Sequence, residues 1–384
     1  MKNIALAGLV FDSPNKGCMA LAYSFMEMLT DIYGKDEVKI YILSNTEYNI
    51  DNLNKYFSKI SLIQYSLKKI KSIVNIKNTL KKCDIVYDFT EGDSFSDIYG
   101  IKRMIKVSLI KKWSIRYGCK LVLGPQTYGP YFKKISQKMA KDIFKGSYLV
   151  TSRDNMSAQL VKKYTGNEIP VYTDVAFALS CDRDIVVPKT DKKKIGINIS
   201  ALLWNGGYTQ NNQFGLSVDY RQYCRSLIER LNDEGYEIHL ISHVHGKDMS
   251  EIENDYMVNL KLKNEYEFVK VADMYKYPME TKGYILQMDF FIGARMHATI
   301  AAFSSGVITI PFSYSRKFEG LYNALGYNYV VSGKELTTQE AIDKTLDYIK
   351  KYSSLQLKQE EALHIAKKEI EDFRCLLKKM STNN

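Results

Sequence analysis

The chain has 384 residues, 45% of them hydrophobic, which is more than one core usually fills, so two domains are expected. Its 54 Lys and Arg against 43 Asp and Glu leave a net charge of +11, pointing to anionic partners: a phosphorylated substrate, a membrane surface or nucleic acid. Abundant Lys, Ile, Asn and Tyr with few Pro are also what AT-rich coding produces, so nucleic acid is not expected, and no apolar run can cross a bilayer without meeting Arg, His or Lys.

The N-terminal "MKNIALAGLVFDSP" reads as a first strand, not a signal peptide. After a loop with Pro14 and Gly17 come a helix from about Met19 to Tyr33 and the strand "VKIYILS". A basic helix near Leu67 to Lys82, the strand "DIVYDFT", a helix near Tyr99 to Tyr117 and the strand "KLVLGPQ" continue the alternation. The strand "YLVTSR" opens into a helix near Asn155 to Lys163, and "VYTDVAFAL" closes this half. Alternating strands and helices predict a parallel, doubly wound sheet.

Residues Ser180 to Lys194 are polar and without periodicity, as a crossing between domains would be. The pattern then restarts: strand "KIGINIS", helix near Asp219 to Glu234, strand "YEIHLIS", helix near Ser250 to Leu262, a short strand at "YEFVKV" and a helix near Pro278 to Gln287. A strand at Phe290 to Gly293, a helix at Met296 to Ser304 and a strand at Val307 to Pro311 follow, and Thr337 to Lys379 is helical. The expected domains are an N-terminal α/β lobe (1–182), a C-terminal α/β lobe (192–336) and a helical tail (337–384), the class being two Rossmann-like α/β lobes with a cleft between them.

In such sheets functional side chains follow the strands. That places Glu91, Asp93 and Asp97 after one strand, Gln126 and Thr127 after another, Arg153 at a strand end, and His243 and His245 after a fourth. Arg295 and His297 sit in an otherwise apolar corner, "MDFFIGARMHATIAAFSSGVITIPF". Burying an unpaired guanidinium costs several kcal/mol. Either a carboxylate lies nearby and His297 is a core residue, or the corner opens onto an anion at a helix N-terminus. His243 and His245 lack an evident third ligand, so no metal is expected. "SPNKGCMALAYSF" matches no phosphate-loop pattern and reads as a helix start. The basic helices are either solvated faces or a surface resting on anionic lipid. The six cysteines, without metal spacing, read as reduced, buried thiols of a cytoplasmic protein.

Together, "PNKGCMALAYSFMEML", "DFTEGDSFSDIYG", "LGPQTYGP", "TSRDNMSAQLV", "TDVAFAL", "ISHVHGKDMSEIENDY" and "GARMHATIAAFSSGVITIPFSYSRKFEGL" resemble the polysaccharide pyruvyl transferase family. The last segment is the most specific: the family's Arg-x-His corner, small-residue helix, Gly, and strand ending near a Tyr and a Lys correspond to Arg295, His297, Gly306, Tyr314 and Lys317. The resemblance implies a fold like that of type B glycosyltransferases and transfer of pyruvate from phosphoenolpyruvate, as a cyclic ketal, onto two hydroxyls of a sugar, with phosphate release. It implies that Arg153 and Arg295 hold the donor and that His297 is the acid-base residue; Gln126, Glu91, Asp93, His243 and Lys317 are the further substrate-binding candidates. Glu91-Gly92-Asp93 stands where many members carry a run of glycines, so Glu91 and Asp93 either orient acceptor hydroxyls or cap a turn. No cofactor is expected beyond phosphoenolpyruvate as donor substrate. The expected setting is capsule, exopolysaccharide or cell-wall glycan synthesis in the cytoplasm, with peripheral contact at the inner membrane face if the acceptor is a lipid-linked oligosaccharide. A nucleotide-sugar glycosyltransferase of the same two-lobed fold is the alternative.

Overall fold

The computed structural model describes residues 1–246 and 249–382, with the side chains of 316 and 317 outside the described residues. The first of two compact units comprises Met1–Asp12, Leu21–Val175 and the stretch from Lys368 on. Its elements are β1 (Lys2–Ala7), α1 (Lys16–Tyr33), β2 (Val38–Ser44), β3 (Ile60–Gln64), α2 (Ile70–Leu80), β4 (Ile85–Asp88), α3 (Ile101–Arg116), β5 (Lys120–Leu123), α4 (Lys134–Gly146), β6 (Leu149–Val150) and α5 (Asn155–Thr165). The strands are parallel in the order β3-β2-β1-β4-β5-β6. Order reverses between β1 and β4, the place where open α/β sheets bind ligands at their carboxyl edge. Right-handed crossovers set α1 on one face of the sheet and α2, α3 and α4 on the other. Successive strand residues divide between these faces. Val86 packs with Met104 and Ile110 of α3, whereas Tyr87 meets Phe25 of α1 with ring centroids 5.1 Å apart.

The second unit, Ser13–Ala20 with Ala176–Lys367, contains β7 (Lys194–Asn198), α6 (Ala201–Trp204), α7 (Tyr220–Asp233), β8 (Glu237–Leu240), α8 (Asp255–Glu265), β9 (Lys270–Val271), α9 (Pro278–Ile285), β10 (Phe290–Gly293), α10 (Met296–Ser304), β11 (Ile308–Ser313), α11 (Arg316–Ala324), β12 (Val331–Ser332), α12 (Thr338–Lys350) and the first half of α13 (Tyr352–Thr382). Its strands are also parallel, in the order β12-β11-β10-β7-β8-β9, and here the order reverses between β7 and β10. Along β10, Phe290 and Ile292 join the core under α7 and α12, while Phe291 joins Ala298, Ala301 and Ala302 of α10. The alanine-rich "HATIAAF" is therefore a close-packed helix face.

The residues 13–20 are tied to the second unit by backbone bonds: Lys16 N donates to His243 O at 3.0 Å and His245 N to Pro14 O at 3.1 Å. The described part of the helical stretch 337–384 divides between the two units. The break between its two helices falls at Lys351, which caps α12, and α13 buries Leu355, Ala362, Ala366, Ile370, Phe373 and Leu377 on one stripe. Its early part packs into the second unit through Leu355, and its later part into the first, where Phe373 meets Tyr172 at 5.3 Å and Arg374 pairs with Asp31 at 2.6 Å. The cysteines are all free, as expected, but only Cys83, Cys119 and Cys224 are buried; Cys375 is exposed.

Candidate active site

In the second unit the site is built at the carboxyl edge of the sheet. β10 ends at Gly293, where a Cβ would lie 2.8 Å from both the Phe291 ring and Thr299, so the tight exit into α10 needs glycine. Arg295 is the N-cap of α10, in extended conformation, and its backbone N–H donates to Asn198 Oδ1 at 3.0 Å. Asn198 ends β7, across the reversal point, and also donates to Ile241 O at 2.9 Å, so one amide fixes three strand ends.

The buried guanidinium does have a carboxylate. Arg295 Nη2 donates to Asp255 Oδ1 at 2.8 Å and Nε to Oδ2 at 3.3 Å, with Glu253 O at 3.2 Å. Burial opposes the arginine's charge, but Asp255 outweighs it and the pKa is raised. Asp255, itself fully buried, also accepts the backbone N–H groups of Ala201 at 2.9 Å, Val244 at 3.0 Å and His243 at 3.3 Å. It is the hub of this edge. Arg295 nonetheless keeps its Nη1 group without a protein partner among the described residues.

His297 stands in the first turn of α10, half-buried. The backbone of Gly17, in the first turn of α1, lies flat against its ring: a Cβ there would come 2.4 Å from Nδ1 and 2.8 Å from Cγ. The turn is set by Asn15, whose Oδ1 accepts the Gly17 N–H at 2.9 Å, and Lys16, buried beside it, donates to Lys276 O at 3.1 Å.

His243 is buried, and among the described residues both its ring nitrogens lack a hydrogen-bond partner. Burial, then the neighbouring His297, His245, Arg295 and Lys16, push its pKa well below the ordinary value, so it is a neutral imidazole offering one donor and one acceptor. His245 is held down to about 4 by burial and Lys16. Among the described residues no group of three or more His, Cys, Asp and Glu could hold a metal ion.

The first unit carries a separate cluster at its own reversal point. Arg153, after β6, is buried; Nη1 donates to Asp174 Oδ2 at 2.6 Å and Nε to Thr127 Oγ1 at 3.0 Å. Gly92 lies against it, its missing Cβ 3.1 Å from Nη1. Burial is outweighed by Asp174 and Asp93, and the arginine's pKa is raised. Gln126 is fully buried and its amide nitrogen donates to Asp88 O at 2.8 Å. It ties the end of β4 to the residues that follow β5.

Thr90, Glu91 and Gly92 have φ of 43°, 56° and 88°, three successive residues in the left-handed region. Glycine suits such a turn, which accounts for the glycine run of the resemblance. Here the turn is held by the buried trio Asp88, Thr90 and Lys111, with Lys111 Nζ 2.9 Å from Asp88 and 2.7 Å from Thr90. Glu91 Oε2 receives Arg103 Nη2 at 2.7 Å, and Asp93 accepts from Tyr99 Oη at 3.2 Å. Lys317 falls at the start of α11, but its side chain lies outside the described residues.

Sequence reasoning singled out Arg153, Arg295, His297 and His243 as candidates but assigned no role to Asn198, Asp255, Asp174 or Gly17. The available signals were positional: Asn198 closes the first strand of its lobe, Asp255 opens a helix behind an Asn cap, whose side chain accepts Tyr256 N.

Two six-stranded parallel sheets with catalytic-type side chains at their carboxyl edges define an α/β protein of the type B glycosyltransferase architecture. Solved structures agree on that fold. A UDP-GlcNAc 2-epimerase from Neisseria meningitidis bound to UDP-GlcNAc matches with TM-score 0.60 and 11% identity, covering 98% of this chain and 100% of that one. A glycosyltransferase from Rickettsia africae matches with TM-score 0.60 and 14% identity, covering 100% and 99%. A UDP-N-acetylglucosamine 2-epimerase from Listeria monocytogenes matches with TM-score 0.56 and 11% identity, covering 95% and 91%. No curated protein sequence matches significantly. The family model for polysaccharide pyruvyl transferase matches residues 15–316; the chain belongs to that enzyme family. No helix among the described residues is long and apolar enough to cross a membrane.

Proposed function

We propose that this enzyme takes phosphoenolpyruvate as donor and installs its pyruvyl group as a cyclic ketal across two hydroxyls of a sugar, in capsule, exopolysaccharide or cell-wall glycan synthesis. The observation that carries the reading is the α10 corner: the His297 imidazole in the first helical turn, next to an Arg295 whose Nη1 remains available and a neutral His243 with both nitrogens unsatisfied among the described residues. Phosphoenolpyruvate is a phosphate and a carboxylate on one small frame, and guanidinium with a helix N-terminus suits such anions.

The chemistry balances without a cofactor. A proton is added to the methylene carbon, and the central carbon, now cationic, is attacked by the first hydroxyl, which loses its proton to a base. The C–O bond to phosphate breaks, the second hydroxyl closes the ring, and its proton leaves with phosphate or solvent. His297 is the group proposed to carry these protons, since imidazole titrates near neutrality. His243, held neutral, donates or accepts a hydrogen bond to the substrate. Arg153 is proposed to bind a substrate anion through the guanidinium face not spent on Asp174. Glu91 and Asp93 are proposed to receive acceptor hydroxyls, and Lys317 to contact the donor.

Incubation with labelled phosphoenolpyruvate and, separately, with labelled nucleotide sugars tests the reading. Label should pass to a sugar acceptor from phosphoenolpyruvate with equimolar phosphate release. Transfer from a nucleotide sugar alone would instead make this a glycosyltransferase.

A further inference from the structure

The positive charge of the chain is not spread evenly. Between Ser66 and Ser147 there are eighteen Lys and Arg but only six Asp and Glu, so this stretch alone holds more net positive charge than the whole chain's +11. All six acids are already engaged: Asp88 with buried Lys111, Glu91 with Arg103, Asp142 with Lys112, Asp93 with the Tyr99 hydroxyl, and Asp84 and Asp97 with backbone N–H groups. The stretch builds α2, α3 and α4, all on one face of the first unit's sheet. Lys77 of α2 lies 5.0 Å over the Trp113 ring of α3, and Lys112 of α3 is 3.8 Å from Asp142 of α4, so the three helices form one continuous surface.

That surface is not merely basic. Ile70 is 80% exposed, Phe132 73% and Ile135 54%, with Val74, Ile98 and Ile105 also open to solvent. Ile70, Ile98, Phe132 and Ile135 sit at or just before the first turns of the three helices, with Val74 and Ile105 one turn further along, hence toward the carboxyl edge of the sheet, the edge that also carries Glu91 and Arg153. The Asp97 carboxylate accepts the N–H groups of Phe132 at 3.0 Å and Lys133 at 2.9 Å, which fixes Ile98 and Phe132 side by side. Exposed Lys68, Lys69, Lys71, Lys102, Lys133, Lys134 and Lys138 lie on the same stretches of chain. A solvated face has no reason to hold large apolar side chains out at these points, and the aliphatic Ile70, Val74, Ile98, Ile105 and Ile135 outnumber the aromatic Phe132 and Tyr99, whereas a nucleic-acid site rests on stacking groups.

We propose that the α2–α3–α4 face docks on an anionic lipid surface, with Phe132, Ile135, Ile98 and Ile70 entering the interface and the lysines resting on the headgroups. The carboxyl-edge cluster of the first unit then works next to the bilayer, which suits an acceptor presented by a lipid. The proposal is independent of the donor chemistry above.

The test is flotation of the full chain with vesicles of neutral phosphatidylcholine or of phosphatidylcholine with phosphatidylglycerol, at low and physiological salt, beside a binding assay with a mixed-sequence oligonucleotide. Wild type should float with the anionic vesicles only. The pair Phe132→Ser with Ile135→Ser should weaken this at least roughly tenfold, and Lys133→Gln with Lys134→Gln roughly thirtyfold, both with unchanged melting temperature because all four side chains are exposed. Absence of flotation at low salt, flotation unaffected by the apolar pair, or tighter binding to the oligonucleotide than to the vesicles would overturn the proposal.

Discussion

His297 and Gly17 form the contact on which the chemistry is most exposed to small changes. His297→Ala removes a half-buried side chain at a helix start and should leave the protein folded and able to bind phosphoenolpyruvate, while kcat falls by roughly two to four orders of magnitude. Gly17→Ala adds a single Cβ that meets the imidazole at 2.4 Å. The ring must move, and a displacement of this kind costs about a hundredfold in turnover with little change in donor affinity. Titration of donor binding together with steady-state kinetics reads both variants; wild-type kcat in Gly17→Ala would show that the ring's position does not matter. Asp255→Ala leaves Arg295 charged, buried and unpaired and should cost about 3–5 kcal/mol of stability in chemical denaturation. Arg295 and His297 could be singled out in sequence because charge in an apolar run is visible there. Asp255 and Asn198 could not, because their roles arise from contacts 40 and 97 residues away.

At the level of elements, strands buried on both faces read as short apolar runs, and the segments Val38–Ser44, Phe290–Gly293 and Met296–Ser304 fall where the pattern places them. The pattern misses β3 because this edge strand is only half-buried, and it misses α4 because its exposed Ile135 and four lysines blur the apolar stripe. The α8 helix begins later than expected, at Asp255, where the Asn254 cap fixes it. The Thr90–Gly92 turn was legible only as a departure from a glycine run. Its left-handed backbone gives the next prediction: Glu91→Gly relieves strain of about 1 kcal/mol and removes a half-exposed ion pair worth less than about 1 kcal/mol, so stability should hold or rise while the acceptor KM increases. A loss of several kcal/mol would show that Glu91 supports the fold.

For the whole molecule, burial of neutral imidazoles links stability to pH. His239, His243 and His245 all have folded pKa values below the ordinary 6.5, so the unfolded chain takes up protons that the folded one refuses. Stability is complete above 6.5 and falls as pH drops toward about 4, where His245 titrates in the fold, with His243 extending the loss further. The melting temperature should decline across that window, and the double variant His243→Gln, His245→Gln should flatten the decline; an equal slope in both proteins would place its origin among the carboxylates. The central claim, transfer of pyruvate from phosphoenolpyruvate as a ketal, is tested most directly by carbon-13 NMR of the product made in deuterated water from donor labelled at its central carbon. The account predicts a quaternary ketal carbon attached to the sugar, carrying a methyl group with one deuterium, and a stoichiometric yield of phosphate. Free pyruvate as the only labelled product, or donor left intact while a nucleotide sugar is consumed, would contradict it.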